Sequence, residues 1–276
     1  MRSVVDETGR RIEVPARIER IVSLAPNLTE ILYALGLEDR LVGVTTHCDY
    51  PPAAQEKPKV GDVVNPSLEK ILELRPDLVL ATTAGNRRVT VEQLERMDVP
   101  VYGINPHSVL DIFDSIRHVA ELAGVPGRGE ALVARLQARL ARVEVPAQSR
   151  PRVLFVVWLE PLVTSGSDTF LNDVLRHAGA ESVTSDLGQS WPRLSVEEVI
   201  ERDPDYLILP HTRPLQASLA RIARKDPWRR LRAVRQNHIV WLDEAVLRPG
   251  PRIVEAIEEL ARALHPEATP EVRAEK

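Results

Sequence analysis

The sequence predicts an α/β protein built as two Rossmann-like lobes with mostly parallel sheets, joined by a single long helix, with a ligand cleft between the lobes. The main observation is an internal repeat. Ser67–Ala81 (SLEKILELRPDLVLA) returns without a gap as Ser195–Leu209 (SVEEVIERDPDYLIL), an offset of 128 residues (195 minus 67). Each copy predicts a serine-capped helix, a Pro-Asp turn and a short buried strand. The second observation is that strand-like and helix-like patterns alternate along both halves.

The N-terminal half begins its sheet at Arg20–Ala25, a short apolar run closed by Pro26. Asn27 or Thr29 is placed to cap the following helix, which we expect to end at Gly36. The segment 51–66 has no regular period and is expected to be loop. The remaining predicted elements are strands at 41–45, 78–82 and 99–104 and helices at 67–74, 89–97 and 109–122.

The C-terminal half repeats this order. We predict strands at 152–158, 206–209 and 239–242 and helices at 169–177, 195–202 and 251–264. Between the halves, Leu132, Leu136 and Leu140 line one face of a single helix, and a helical connection should limit movement between the lobes. The expected domains are an N-terminal lobe at 1–124, a linking helix at 125–146, a C-terminal lobe at 147–266 and a frayed tail at 267–276.

Composition restricts the function classes. Lys and Arg total 36 against 40 Asp and Glu, a formal net charge of −4, so nucleic acid is not an expected partner. Cys48 is the only cysteine, which excludes an internal disulfide. No apolar run approaches the roughly 20 residues that cross a bilayer, and residues 1–11 lack the apolar core of a secretory signal. Taken alone this pattern predicts a cytoplasmic chain, but a chain whose signal has been removed has the same pattern.

The common enzyme signatures fail on spacing. The chain has no phosphate-binding Gly-x-x-x-x-Gly-Lys-Ser/Thr loop, and Gly127-Arg-Gly129 lacks a third glycine and a preceding strand. Ser165-Gly-Ser167 lacks the glycine that a nucleophile elbow requires two residues before its serine. No His-Glu-x-x-His or paired-cysteine spacing predicts a zinc site. We therefore predict neither catalytic residues nor a protein-bound metal.

The densest group of candidate ligand contacts in the N-terminal half is the loop His47-Cys48-Asp49-Tyr50. It follows a predicted strand, and open α/β sheets bind ligands at the carboxyl ends of their strands. His47, Asp49 and Tyr50 are the candidates. The alternative is a solvent-facing His47 beside a buried Cys48, because adjacent residues of an extended segment point in alternate directions.

Two tryptophans of the C-terminal half are candidate ligand contacts, in a chain with only 4% aromatic residues. Trp191 follows Gly188-Gln-Ser and precedes Pro192, so we expect it in a loop facing the ligand. Trp158 either faces the ligand or packs in the core with its apolar neighbours. Trp228 and Trp241 are expected to be structural.

The segment after the last predicted strand, Asp243–Arg252, carries acidic and basic side chains. Arg248 can donate hydrogen bonds to ligand oxygens, while Asp243 and Glu244 can accept them. The alternative is a simple salt bridge within the loop.

Glu69 and Glu197 are equivalent by the repeat, and each begins a helix. An acid in the first turn favours the helix dipole and needs no partner. The symmetry offers a second interpretation, in which one carboxylate per lobe fits a basic socket on each half of a dimeric partner.

Six motifs taken together carry a family resemblance: Arg20–Glu30, Cys48–Pro52, Ser67–Val79, Thr164–Gly166, Trp191–Pro192 with Ser195, and Arg248–Arg252. They resemble the motifs of the substrate-binding proteins of metal-chelate ABC importers. The likeness is greatest to members that bind vitamin B12, and it covers nearly the whole chain. Residues 5–15 are also similar to the hairpin that starts many relatives.

The resemblance implies a monomeric protein that performs no chemistry and acts in the periplasm or at the cell surface after its signal is removed. It would bind a chelate that itself carries cobalt or iron. Glu69 and Glu197 would dock onto arginines of a dimeric permease, whose ATPase drives release. Cobalamin or a related corrinoid is the implied cargo, with His47, Trp191, Glu244 and Arg248 at contact positions.

The likeness to the vitamin B12-binding members is incomplete. The positions of their aromatic pads are occupied here by His47, Val63 and Thr83. A haem binder would present His47 or Tyr50 to the iron. A ferric siderophore would use inward-facing arginines, for which the candidates are Arg87, Arg88, Arg193 and Arg248.

Two hypotheses that assign the chain to other classes of protein remain open on the sequence alone. A two-lobed enzyme of the chelatase type would share the alternating architecture but needs a cofactor ligand set that the sequence does not show. A cytoplasmic binding module would explain the missing signal.

Overall fold

The computed structural model describes residues 1–146 and 150–268, and these form two compact units. Unit 1 comprises residues 1–106 and 110–136, and unit 2 comprises residues 107–109 and the described residues from 137 onward. Within the described residues, no helix is both long and apolar enough to span a membrane. Of the predicted tail, 269–276 lies outside the described residues, and Pro266–Ala268 forms one 3₁₀ turn.

Unit 1 contains a four-stranded parallel sheet and an antiparallel N-terminal hairpin. In chain order its elements are β1 (Arg2–Val5), β2 (Arg11–Val14), β3 (Ile21–Ser23), α1 (Pro26–Ala34), β4 (Leu41–Val44), α2 (Leu68–Glu73), β5 (Leu78–Thr82), α3 (Arg88–Glu95), β6 (Val101–Ile104) and α4 (Val109–Leu122). The sheet order is β4-β3-β5-β6, so the carboxyl ends of all four strands share one edge. The predicted α/β class with mostly parallel sheets is confirmed.

The predicted cap of α1 is wrong. The helix begins at Pro26, with Ala25 in the N-cap position and no side-chain cap. Proline is favoured in the first turn because it lacks an N–H and its φ is already helical, so the helix starts upstream of both predicted caps. Asn27 and Thr29 lie inside the helix and are buried, and the Thr29 hydroxyl donates to Ser23 Oγ at 2.8 Å.

The chain passes from unit 1 to unit 2 within α5 (Pro126–Leu140). Leu132 and Leu136 are buried, as the apolar spacing predicted. Near its end, Arg139 forms two hydrogen bonds to the carboxylate of Glu258, at 3.0 and 2.7 Å. This bidentate pair attaches the last turn of α5 to the rest of unit 2.

Unit 2 contains a mixed sheet of order β11-β10-β7-β8, with β9 also paired to β7. In chain order its elements are β7 (Arg152–Leu159), β8 (Leu162–Thr164), α6 (Phe170–His177), β9 (Glu181–Ser182), α7 (Val196–Arg202), β10 (Tyr206–Pro210), α8 (Arg213–Ile222), α9 (Arg232–Arg235), β11 (Ile239–Leu242) and α10 (Ile253–Leu264). Strand β8 is antiparallel to β7, and the others pair in parallel. Helix α8 was not predicted, although Leu215, Leu219 and Ile222 are buried at helical spacing.

The repeat is present in three dimensions, beginning with the helix caps. Ser67 Oγ accepts a hydrogen bond from the Lys70 amide at 3.3 Å, and Ser195 Oγ accepts one from the Glu198 amide at 3.2 Å. In the second copy the Glu198 carboxylate also accepts from the Ser195 amide, which completes a capping box. The serines predicted as N-caps of α2 and α7 are confirmed.

The two Pro-Asp turns are also equivalent. Asp77 accepts a hydrogen bond from the Arg20 amide, and Asp205 accepts one from the Arg152 amide, both at 2.8 Å. The amides of the same aspartates donate back to the carbonyl oxygens of Arg20 and Arg152, at 2.8 and 2.7 Å. Each aspartate therefore sets the register between a repeat strand and the strand beside it, β3 in unit 1 and β7 in unit 2.

Candidate ligand-binding site

In unit 1 the candidate residues lie in the loop that follows β4. His47 and Asp49 are exposed, and Tyr50 is 45% exposed. Cys48 between them is buried, and its sulfur lies 3.1 Å from Thr29 Oγ1 and 3.2 Å from Thr45 Oγ1. Cys48 therefore anchors the loop to α1, while its polar neighbours project into solvent at the carboxyl edge of the sheet.

Asn86, which was not among the predicted site residues, connects three segments at the same edge. Its Oδ1 accepts from the Thr82 amide at 2.8 Å, and its Nδ2 donates to the carbonyl oxygens of Leu24 and Val63, at 2.9 and 2.8 Å. It thereby fixes the end of β5, the end of β3 and the loop that carries Val63. Beside it, the exposed Thr83 donates its hydroxyl to Asn105 Oδ1 at the end of β6. No pattern in the sequence marks Asn86, because its partners are far apart along the chain.

In unit 2 the loop that carries Trp191 is held by backbone hydrogen bonds to the segment after β8. The Gly166 amide donates to Ser190 O at 3.0 Å, and the Thr164 amide donates to Pro192 O at 3.1 Å. A Cβ at Gly166 would lie 1.9 Å from Gln189 O, so only glycine allows this approach. Trp191 is 44% exposed and lies in a loop, as predicted.

Trp158 lies near the end of β7 and is 47% exposed. The alternative that it packs in the core is therefore wrong. Its indole N–H donates to Glu160 O at 2.9 Å, which restrains the ring. Trp228 is buried in the core, and Trp241 packs partly buried against the same apolar cluster, as expected for structural residues.

The segment after β11 forms a short 3₁₀ turn with ordered charges. Asp243 caps it, accepting from the Ala245 amide at 2.8 Å, and lies 3.4 Å from Arg252 Nη1. Arg248 Nη2 lies 2.8 Å from Glu244 Oε1, with the arginine side chain only 13% exposed and that of the glutamate 46% exposed. The predicted loop salt bridge is thus present. The salt bridge positions the Arg248 guanidinium, and the more exposed Glu244 faces solvent.

Glu69 and Glu197 are both exposed in the first turns of α2 and α7. Within residues 1–146 and 150–268, neither carboxylate forms an ion pair. Glu198, beside Glu197, differs: hydrogen bonds from the Ser195 amide and hydroxyl lower its pKa below the usual value. The capping function therefore falls to Glu198 in this copy, and the capping box does not include Glu197.

Among the residues that the structure describes, no group of three or more His, Cys, Asp or Glu side chains is arranged to hold a metal ion. His47, Asp49 and Tyr50 are close in sequence but do not form such a group. Taken separately, unit 1 exposes the imidazole of His47 and the ring of Tyr50, and unit 2 exposes the indoles of Trp158 and Trp191.

Comparison with known proteins identifies the class. A model of the periplasmic binding protein family matches residues 21–246, so the chain belongs to this family. This match confirms the family that the sequence motifs predicted. The predicted α/β fold of two units is also confirmed, and the chain is a substrate-binding protein of this class.

Three relatives are informative. A vitamin B12-binding protein of Vibrio parahaemolyticus is 32% identical over 252 residues, which cover 88% of each chain. An uncharacterized ABC transporter substrate-binding lipoprotein of Bacillus subtilis is 30% identical over 275 residues, covering 96% of this chain and 86% of the relative. The solved structure of a periplasmic haem-binding protein from Pseudomonas aeruginosa matches with a TM-score of 0.81 and 28% identity, covering 92% of this chain and 95% of that one.

Proposed function

We propose that this chain captures cobalamin or a related corrinoid outside the cytoplasmic membrane and delivers it, as a monomer, to a dimeric ABC permease with its ATPase. The observation that supports this most is the pair of tryptophans in unit 2. Trp158 and Trp191 are 47% and 44% exposed in a chain with few aromatic residues. Exposed indoles provide large apolar contact areas for a flat ring system at low cost in conformational entropy.

The proposed ligand contacts come from each unit. In unit 1 they are His47, Asp49 and Tyr50, and in unit 2 they are Trp158, Trp191, Asp243, Glu244 and Arg248. The cobalt belongs to the cargo, and the chain supplies binding without a reaction. Delivery uses Glu69 and Glu197, whose exposed carboxylates suit basic sockets on the permease.

Haem is the second candidate cargo, and one observation favours it. His47 and Tyr50 are both exposed in the loop after β4, and each can ligate iron in an open axial position. A ferric siderophore would instead depend on arginines such as Arg87 and Arg88, which are exposed around the start of α3.

A titration of the purified chain followed by tryptophan fluorescence and visible absorbance separates these cargoes. Cyanocobalamin, haem and a small set of ferric siderophores are added in parallel. We expect saturable sub-micromolar quenching by cyanocobalamin alone. A response only to haem or to an iron chelate would change the cargo and leave the transport role intact. Silence toward all of them would contradict the proposal and favour an enzyme.

Replacing Arg248 tests the proposed contact in unit 2. We expect Arg248→Ala to weaken cyanocobalamin binding by about 1–3 kcal/mol, the range of a charge-assisted hydrogen bond, measured as the change in dissociation constant. Arg235→Ala is the control, since this exposed arginine precedes β11 at the amino end of the strands, and it should leave the dissociation constant unchanged. If Arg248→Ala leaves the dissociation constant unchanged, the Arg248–Glu244 pair serves only the loop.

A further inference from the structure

Three neighbouring segments of unit 2 bring an aromatic, an aliphatic and a basic side chain into one row. Trp158 of β7 pairs with Val163 of β8 in antiparallel register, and Val163 in turn bridges to Arg193. Side chains of directly opposite residues project from the same face of a sheet. Trp158 and Arg193 therefore flank Val163 on one face.

This face points away from the core of unit 2. Leu159 and Leu162, the next pair in the register, are buried in the apolar cluster on the opposite face, and Leu194 packs against the same cluster. Trp191 is exposed and Pro192 is buried, so the alternation along the segment places Trp191 on the side of Arg193. We call Trp158, Val163, Trp191 and Arg193 the tryptophan–arginine face.

Arg193 gives this face a positive charge. Within the described ranges 1–146 and 150–268, its exposed guanidinium forms no ion pair or side-chain hydrogen bond. Arg248 differs, because it already pairs with Glu244 at 2.8 Å. A guanidinium on the same face as exposed indoles suits an anionic oxygen group carried by a flat ligand, since the rings supply apolar contact beside the charge pair.

We infer that the tryptophan–arginine face binds the nucleotide-bearing edge of the corrinoid, with Arg193 paired to its phosphodiester. The inference rests on the proposed function and names the part of the cargo that this face recognises. The peripheral side chains of cyanocobalamin are neutral amides, and its phosphodiester is the one peripheral anion. The flat base of the nucleotide and the amide-bearing edge beside it then pack against Trp158, Val163 and Trp191.

The test compares two ligands on three proteins. Dicyanocobinamide has the same corrin ring as cyanocobalamin but lacks the nucleotide and its phosphodiester. We expect Arg193→Ala to weaken cyanocobalamin binding about tenfold and to leave the dissociation constant for dicyanocobinamide unchanged, as measured by titration calorimetry. Arg235→Ala should change neither value, because this exposed arginine precedes β11 at the amino end of the strands.

Two results would overturn the inference while leaving the proposed function in place: equal weakening of both ligands by Arg193→Ala, or no weakening of cyanocobalamin. If the wild-type protein does not bind cyanocobalamin, the proposed cargo fails. Haem binding that Arg193→Ala weakens would then overturn the phosphodiester assignment, because haem presents carboxylates instead. Haem dimethyl ester, in which those carboxylates are blocked, would identify that case.

Discussion

Glu69→Ala combined with Glu197→Ala is expected to abolish delivery of cyanocobalamin to the permease while leaving its dissociation constant unchanged. Both carboxylates are exposed in the first turns of equivalent helices, one in each unit. A docking role requires both, because the proposed partner is a dimer that presents one basic socket to each. The measurement is uptake of labelled cyanocobalamin into vesicles that contain the permease and its ATPase, beside a binding titration of the same variant.

The repeat itself supplies the control for this experiment. Glu73 and Glu201 are also equivalent at the same offset, lie one helical turn further along α2 and α7, and are exposed. The double variant Glu73→Ala with Glu201→Ala removes the same charge from the same two helices and should transport normally. Equal loss of transport in both double variants would mean that net charge, and not docking at specific positions, is responsible. Weakened cyanocobalamin binding in the Glu69 and Glu197 double variant would contradict the separation of docking from binding.

The duplicated unit was predictable because its signals are local. A serine cap and a first-turn acid act within a few residues of one another, so the sequence alone predicts them. The structure also shows one pair of equivalent residues that differ in residue type. Arg75 and Asp203 occupy matching places after their helices and both have positive φ, 45° and 42°. Arginine has no preference for this conformation, so only the symmetry of the two turns relates them.

The orientation of Trp158 was not predictable, for a reason that lies in the strand. Strict alternation along β7 would place Trp158 on the same face as the buried Val156. The register shifts between these two residues, with Val156 opposite Thr164 and Trp158 opposite Val163. The extra residue of this bulge reverses the alternation. Leu159 points inward and Trp158 points outward, which creates the tryptophan–arginine face.

The positioning roles of Asn86 and Gly166 were not predicted, because their partners are distant in sequence. Asn86 reaches Leu24, 62 residues earlier. Gly166 approaches the backbone of Gln189 and Leu187. Such contacts depend on how strands and loops are brought together, which periodicity does not encode. The loop residues His47 and Trp191 were predictable because they follow signals for a strand end and a turn.

Gly166→Ala is expected to displace the Trp191 loop and to weaken cyanocobalamin binding by at least about tenfold, or 1.4 kcal/mol. The added Cβ would lie 1.9 Å from Gln189 O and 2.7 Å from Leu187 O. Both are backbone atoms, so a side-chain rotation cannot relieve the clash and the loop itself has to move. Overpacking of this kind also costs about 1–3 kcal/mol of folding free energy. Titration with cyanocobalamin measures the first effect and urea denaturation the second.

Gly188→Ala is the matched control, because it adds the same methyl group to the same loop. A Cβ at Gly188 would meet no atom within 4 Å, so binding and stability should both stay within about 0.5 kcal/mol of wild type. Wild-type affinity in Gly166→Ala would show that the position of Trp191 does not matter for the ligand. Loss of stability with retained affinity would limit Gly166 to a folding role. Loss of affinity in a folded variant would instead show that the backbone contact at Gly166, 25 residues before Trp191 (191 minus 166), holds the indole where the ligand needs it.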